Sequence, residues 1–252
     1  MAKRLYWLWS KPPDSIFLFK MAGITGQFFI HSPGELRLLE YVIQGETSSL
    51  ERLISVVQPG DVIWDIGASI GLYTILMAKT VGEKGHVIAF EPGSQSFDRL
   101  QDNLRLNGLS NVRSFRKALG ERNEKVKFYA GEDGKWCSLI SPPANRTDIS
   151  SQVIEVVRGD DFQEVENLPL PQVIKIDVEG YEFSVLKGLK NTLSQPSCEL
   201  ILLEVHPKLL PLELKPEMIL SLLKSLGFRH LKVQVRGSEY HIFACKTEEV
   251  RL

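Results

Sequence analysis

DVIWDIGASIG, Asp61 to Gly71, runs an apolar strand straight into a glycine-bracketed turn. A strand through Val62, Ile63 and Trp64 followed by a helix of Leu72, Tyr73, Ile75, Leu76 and Ala78 requires a sharp reversal at the strand's carboxyl end. Glycine tolerates the backbone angles such a reversal needs. That edge is where open α/β sheets hold nucleotide-like ligands. The spacing from Gly67 to Gly71 is G-x-x-x-G rather than the dinucleotide pattern G-x-G-x-x-G, and Asp65 stands two residues before the first glycine. A carboxylate there repels a pyrophosphate and suits a cofactor with positive charge, such as the sulfonium and amino groups of S-adenosylmethionine.

Twenty positions after Gly71 a second apolar strand, HVIAFEP, ends in Glu91. Nucleoside-binding sheets place there the acid that accepts hydrogen bonds from both ribose hydroxyls. The plainer alternative makes Asp65 a cap for the following helix and Glu91 a solvated strand-end acid. The ordered pair, glycine turn at one strand end and acid at the next, favours the cofactor reading.

Outward from this pair, the 252 residues with 43% hydrophobic content suffice for one α/β domain. A net charge of −1 gives no field to recruit a polyanion, so a nucleic-acid partner is not expected and a small acceptor is the default. Cys137, Cys198 and Cys245 are odd in number and far apart, which fits reduced thiols in a cytoplasmic protein better than a disulfide framework or zinc site. Lys3 and Arg4 precede Leu5, Tyr6, Trp7, Leu8 and Trp9, but Ser10 and Lys11 end the run short of a signal-peptide core. Ser15 to Ile30 is interrupted by Lys20, Thr25 and Gln27, so no transmembrane segment is expected where about twenty apolar residues are needed. Tryptophans beside basic residues leave peripheral membrane contact open.

Residues 1–44 read as an N-terminal extension packing on or near a core domain of residues 45–252. A helix Ser48 to Val57 stops at Pro59 and Gly60. Strands follow at Asp61 to Ile66, His86 to Glu91, Val112 to Ala118, Val173 to Val178, Leu200 to His206, His230 to Val235 and Tyr240 to Cys245. Helices are expected at Leu72 to Lys79, Ser94 to Leu106, Glu182 to Leu193 and Pro216 to Leu226. This alternation predicts a mostly parallel sheet with helices on both faces. Only Arg236, Gly237, Ser238 and Glu239 separate the last two strands, which makes them a hairpin and gives the sheet one antiparallel strand. VKFYAG and QVIEVV, within residues 124–162, read as an inserted β-hairpin around a polar loop with Pro142, Pro143, Asn145 and Arg146.

VIKIDVEGYE carries Lys175, Asp177 and Glu179 at alternate positions, on one face of a regular strand. Either the acids lie past the last buried residue with Lys175 neutralising them, or Asp177 stands at the active edge beside donor and acceptor. LLEVHP ends the next strand in Glu204 and His206 at the same edge, and histidine is the commonest general base. Lys175, Asp177, Glu179 and Glu204 are the further candidates for orienting an acceptor. No metal ligand set is assigned, a divalent ion on Asp177, Glu179 and Glu204 being the lesser alternative. The absence of a D-P-P-Y tetrad, a strand-end Pro-Cys pair, a G-x-x-x-x-G-K-[ST] loop and an H-E-x-x-H helix disfavours base methylation, phosphoryl transfer and zinc hydrolysis.

With these residues in hand, the chain resembles the FkbM family of S-adenosylmethionine-dependent methyltransferases over about Gly45 to Phe228. The resemblance runs through GETSSLERLISVVQPGDVIWDIGASIGLYT, VIAFEP, NVRSFRKALGE, Ser138-Leu139, VVRGDDF, IKIDVEGYEFSVLKGL and LLEVHP. It implies a class I methyltransferase fold, a Rossmann-like three-layer sandwich with a seven-stranded sheet. It also implies O-methylation of a hydroxyl on a sugar, glycolipid, lipid-linked glycan or polyketide-like acceptor. By the family pattern Asp65, Gly67, Ala68, Ser69 and Gly71 frame the methionine part of the cofactor, Glu91 with Pro92 the ribose, and Ala118 and Leu119 the adenine edge. Glu46 corresponds to an acid that closes over the donor, and Asp177 lies beside the methyl group. Ser69 stands where the family has Asn, and Arg158-Gly159 replace Thr-Leu before Asp160-Asp161. Rival readings are a noncatalytic scaffold of the same fold and an NAD-dependent oxidoreductase, the latter disfavoured by the glycine spacing. Residues 1–44 and 131–152 are expected to shape the acceptor pocket.

Overall fold

The computed structural model describes residues 15–31, 33–131, 137–139 and 149–248. It begins with a hairpin, β1 (Ser15–Met21) and β2 (Ile24–Ile30), paired antiparallel around Ala22 and Gly23, both at positive φ. Strand alternation sends Phe17, Phe19, Met21, Phe28 and Ile30 into the core. Trp7 and Trp9, on which the membrane reading rests, lie outside the described residues.

Helix α1 (Pro33–Val56) starts well before the expected Ser48 and runs unbroken through the boundary drawn between residues 44 and 45. Proline at the first helical position is pre-set in φ and lacks an N–H the helix would leave unbonded. Leu36, Leu39, Ile43, Leu50, Leu53 and Ile54 then bury one helical stripe.

The core alternates as expected: β3 (Val62–Ile66), α2 (Leu72–Val81), β4 (His86–Phe90), α3 (Ser94–Leu106) and β5 (Val112–Phe115). The expected strand Val112 to Ala118 is in fact two, because the chain leaves the main sheet after Phe115 and enters a second one at β6 (Ala118–Gly120). There β7 (Glu124–Gly131), β8 (Cys137–Ser138) and β9 (Ile149–Arg158) join it in the order β6-β9-β7-β8. The inserted hairpin is the antiparallel pair β7 and β9, with Glu124 opposite Val156 and Gly131 opposite Ile149.

The chain returns through α4 (Gly159–Val165) to β10 (Val173–Ile176), then α5 (Glu182–Gly188), α6 (Lys190–Ser194), β11 (Leu200–Val205), α7 (Pro216–Ser225), β12 (His230–Arg236) and β13 (Glu239–Cys245). The single helix expected over Glu182 to Leu193 is interrupted at Leu189, beside a close approach to β6: a Cβ on Gly188 would lie 1.8 Å from the carbonyl oxygen of Gly120. Asp160 then accepts the backbone N–H groups of Asn191 and Thr192, at 2.8 and 2.9 Å, so this acid is a structural cap for α6.

The seven-stranded sheet has the order β12-β13-β11-β10-β3-β4-β5, and among the described strands of this sheet only β13 runs antiparallel to its neighbours. One face packs on the N-terminal hairpin, α1, α2 and α3, the other on the helices after β9. On the first face Asn103 and Asn107 of α3 act as a surrogate strand for β2. Their side-chain oxygens accept the N–H groups of Phe29 (2.8 Å) and Gln27 (3.0 Å), and Asn107 donates to the Gln27 carbonyl (2.7 Å). The order reverses between β3 and β10, so the loops at their carboxyl ends part and leave a crevice.

Candidate active site

The loop after β3 forms the floor of that crevice. The N–H groups of Gly67 and Ala68 both bond the carbonyl of Phe90, at 2.9 and 3.0 Å, drawing the loop onto the end of β4. Gly67 has φ +83°, and a Cβ on it would lie 1.7 Å from the carbonyl oxygen of Asp177. No other residue fits there. Ser69, at φ +50°, donates its N–H to Glu91 Oε2 (2.8 Å), while Glu91 Oε1 accepts from Gly93 (2.8 Å). Burial raises the Glu91 carboxyl to about 7 against these two stabilising hydrogen bonds.

Lys175 lies opposite Asp65 in the β3–β10 register and is itself buried. Its Nζ donates to the Gly67 carbonyl at 2.9 Å and sits 3.6 Å from Asp65 Oδ1 and 3.4 Å from Asp177 Oδ2. It also lies 5.1 Å from the centroid of the Tyr73 ring. Burial disfavours its charge, but Asp177, Asp65 and Glu46 outweigh that and hold the ammonium charged. Lys175 thus pins the glycine loop to the sheet.

β10 ends at Ile176, so Asp177 and Glu179 do not continue a regular strand as the alternation suggested; they belong to a turn in which Glu179 (φ +52°) and Gly180 (φ +98°) are left-handed. The turn aims both acids at His206, the residue after β11. His206 Nε2 lies 3.6 Å from Glu179, 3.9 Å from Asp177 and 3.9 Å from Glu204. Its Nδ1 is 2.8 Å from Oε1 of Glu182, at the start of α5. Burial by itself lowers the histidine's proton affinity; the Glu182 hydrogen bond and the charges of Glu179 and Asp177 prevail and raise it to about 10. Burial pushes Glu179 and Glu204 upward, reinforced by neighbouring acids. For Asp177, Lys175 and His206 overcome burial and hold the carboxyl below its usual range.

The roof comes from α1 and the β12–β13 hairpin. Glu46 is buried, hydrogen-bonded to the Tyr73 hydroxyl, and raised by burial and by Glu204 and Asp177. Arg236 lies 3.5 Å from Glu204 and 3.9 Å from Glu46. Its guanidinium crosses the helix over Gly45, where a Cβ would stand 1.6 Å from Nη2. Ser49 of α1 bonds His241 Nδ1 on β13, and His241 Nε2 lies 3.2 Å from Glu204.

These parts enclose a cavity of about 390 Å³ whose walls include Glu46, Gly67, Ala68, Ser69, Glu91, Pro92, Ala118, Leu119, Lys175, Asp177, Glu179, Glu204 and His206. Asp65 and Gly71, expected at the cofactor, do not line it. Asp65 is fully buried behind the loop with its Oδ2 accepting the Thr74 hydroxyl at 2.5 Å, and a Cβ on Gly71 would face Leu100 of α3 at 2.6 Å. Sequence reading missed Tyr73, Glu182, Arg236 and Glu239. Glu182 had a signal, being the second acid of EGYE; Arg236 had none, because its partners on α1 and β11 are remote in the chain.

Carboxylates and His206 also gather closely enough to share a cation, as in Asp177, Glu179 and His206 or Glu46, Asp177 and Glu204. Lys175, Arg236 and His206 already lie among them, and we assign none of these groupings to a metal. A nucleoside cofactor with a positive centre does fit the donors present: an apolar slot of Phe90, Ala118, Leu119, Phe128 and Leu139, a buried strand-end acid, and carboxylates beyond.

Comparison with known proteins agrees. The profile of the Methyltransferase FkbM domain matches residues 65–230. Hexuronic acid methyltransferase AglP of Haloferax volcanii is 30% identical over 194 residues, 76% of this chain and 75% of that protein. The 2-O-methyltransferase NoeI of Sinorhizobium fredii is 28% identical, covering 63% of this chain and 72% of its own. In fold, the chain is similar to an rRNA methylase from Streptococcus thermophilus, with a TM-score of 0.50 at 11% identity over 81% of this chain and 97% of that one. Among the described residues no helix is long and apolar enough to cross a membrane. The glycine floor, the strand-end acid and the profile match lead to one conclusion: the chain belongs to the FkbM family of S-adenosylmethionine-dependent methyltransferases.

Proposed function

We propose that the protein transfers a methyl group to a hydroxyl of a sugar, free or carried on a larger glycan. The observation that carries this reading is the chemistry of the cavity's far half. Glu46, Asp177, Glu179, Glu204, His206, Arg236, Ser238 and Glu239 line it. Such a wall offers alternating donors and acceptors to a polyhydroxylated ring. The names of AglP, for hexuronic acid, and NoeI, for 2-O-methylation, support the same class.

S-adenosylmethionine supplies an electrophilic methyl group on a good leaving group, which leaves orientation and proton removal to the chain. Glu91 and the slot around Ala118 and Leu119 would hold its nucleoside, and the loop at Gly67 to Ser69 its amino-acid end. His206 Nε2 takes the acceptor's hydroxyl proton, while Glu179 and Glu204 hold neighbouring hydroxyls. Asp177, kept ionised by Lys175, provides negative charge beside the donor. A histidine held near 10 is mostly protonated at neutral pH, so turnover should climb with pH across the neutral range.

The test incubates the protein with methyl-labelled S-adenosylmethionine and a panel of glucuronides, neutral hexosides and deoxyhexosides, reading methyl ethers by mass. Label is expected on at least one sugar and lost in His206→Ala, with S-adenosylhomocysteine affinity retained. Transfer to none of the sugars despite cofactor binding would reject the acceptor class.

A further inference from the structure

We infer that Glu182 is a positioning residue of this active site, one carboxylate that sets both the His206 ring and the Glu179–Gly180 turn. The inference rests on the methyl-transfer reading above for its purpose, but not for its geometry. Glu182 is fully buried and does not line the cavity. Its Oε1 accepts at 2.8 Å from the Gly180 N–H and meets His206 Nδ1 at 2.8 Å. One oxygen therefore ties the turn after β10 to the residue after β11.

Both tied groups need holding. Glu179 has a left-handed backbone that a non-glycine residue resists, and its carbonyl is fixed on the other side by the Ser138 hydroxyl at 2.6 Å. Gly180 cannot be replaced to relieve the turn, since a Cβ there would stand 2.6 Å from the carbonyl oxygen of Leu209. His206, with Nδ1 engaged, presents Nε2 to the acids of the cavity, and Nε2 itself makes no hydrogen bond. A carboxylate behind one ring nitrogen fixes the tautomer and leaves the other to work.

Structure alone does not require an acid at this place. The second oxygen, Oε2, is buried with no hydrogen-bond partner, and an amide or an apolar side chain would avoid that cost. What only the carboxylate supplies is charge next to the imidazole. The other charged groups around the ring are Asp177 and Glu179 from the turn and Glu204 from β11, with Arg236 of β12 and His241 of β13 meeting Glu204 from beyond. Of these, Glu182 alone is in hydrogen-bond contact.

The experiment is an NMR titration of the full chain carrying ¹³C-labelled histidine, with His206→Asn assigning the resonance among the five histidines. In Glu182→Gln, which keeps the shape and an acceptor oxygen, the proton affinity of His206 is expected to fall about tenfold or more. S-adenosylhomocysteine affinity should stay within about twofold of wild type, as Glu182 stands outside the cavity. The rising limb of the methyl-transfer pH profile should move to lower pH with the midpoint. An unmoved His206 midpoint in a folded Glu182→Gln protein overturns the inference. Should that variant not fold, the wild type decides: a slowly exchanging Nδ1 proton on His206 is expected, and a ring protonated only at Nε2 or exchanging freely overturns it. The titration needs neither acceptor nor turnover, so its failure is distinguishable from failure of the sugar reading.

Discussion

Replacing Gly45 by alanine sets two effects of opposite sign against each other. Gly45 lies inside α1, where alanine is better than glycine by about 1 kcal/mol. An added methyl, however, would sit 1.6 Å from Nη2 and 2.2 Å from Cζ of Arg236, and the guanidinium would have to leave. It then loses Glu204 at 3.5 Å and Glu46 at 3.9 Å, both largely buried acids. Breaking a buried ion pair costs about 3–5 kcal/mol, so the clash should win by about 2–4 kcal/mol. For a protein of this size that lowers the melting temperature by roughly 4–16 °C. The decisive assay is a double-mutant cycle by thermal or urea unfolding. In an Arg236→Ala background the clash is gone, and Gly45→Ala should become stabilising by up to about 1 kcal/mol. If Gly45→Ala has the same sign in both backgrounds, the guanidinium does not occupy the helix surface and the account of the roof fails.

Raising the pH from 7 to 10 should destabilise the cofactor-free protein. His206 has a folded value of about 10 against 6.5 unfolded, so the folded state holds an extra proton through this window; the stability it provides is complete below about 6.5 and lost as pH approaches 10, on the order of 3 kcal/mol. Lys175, Cys198 and Cys245, all raised, act in the same direction, and a urea midpoint that rises with pH would contradict the assignment. Asp65→Asn should cost about 3 kcal/mol, because it strips Lys175 of one buried partner. S-adenosylhomocysteine affinity, measured by calorimetry, should fall less than about tenfold, since the side chain is outside the cavity. Abolished binding at unchanged stability would instead place that carboxylate on the cofactor. Ser69→Asn should stabilise by about 0.5 kcal/mol in urea unfolding, as asparagine tolerates the left-handed region better than serine, and a loss of stability would mean that Asn cannot keep this loop on Glu91.

The glycine turn, the acid at Glu91 and the strand–helix alternation were legible in the chain because each is a local pattern. Period-2 burial marks strands, and G-x-x-x-G marks a reversal whatever lies around it. The same reasoning placed Asp65 on the cofactor, which was a matter of direction rather than position: the residue is at the sheet's active edge, but Thr74 and Lys175 claim its carboxylate from inside. It likewise read Lys175, Asp177 and Glu179 as one strand face, whereas the strand stops at Ile176 and a left-handed turn delivers the two acids.

Sequence by itself determined the sheet, its hairpin end and the family, since these follow from periodicity, turn chemistry and motif order along the chain. Only the tertiary structure decided how the site is closed and charged. Arg236 reaches Gly45, Glu182 reaches His206 and Ser138 reaches Glu179 across long separations in the chain, and no local pattern encodes such meetings. The charge state of His206 is decided the same way, by burial and by acids from the turn after β10 and from α5 acting together, an electrostatic field that exists only when the chain is folded.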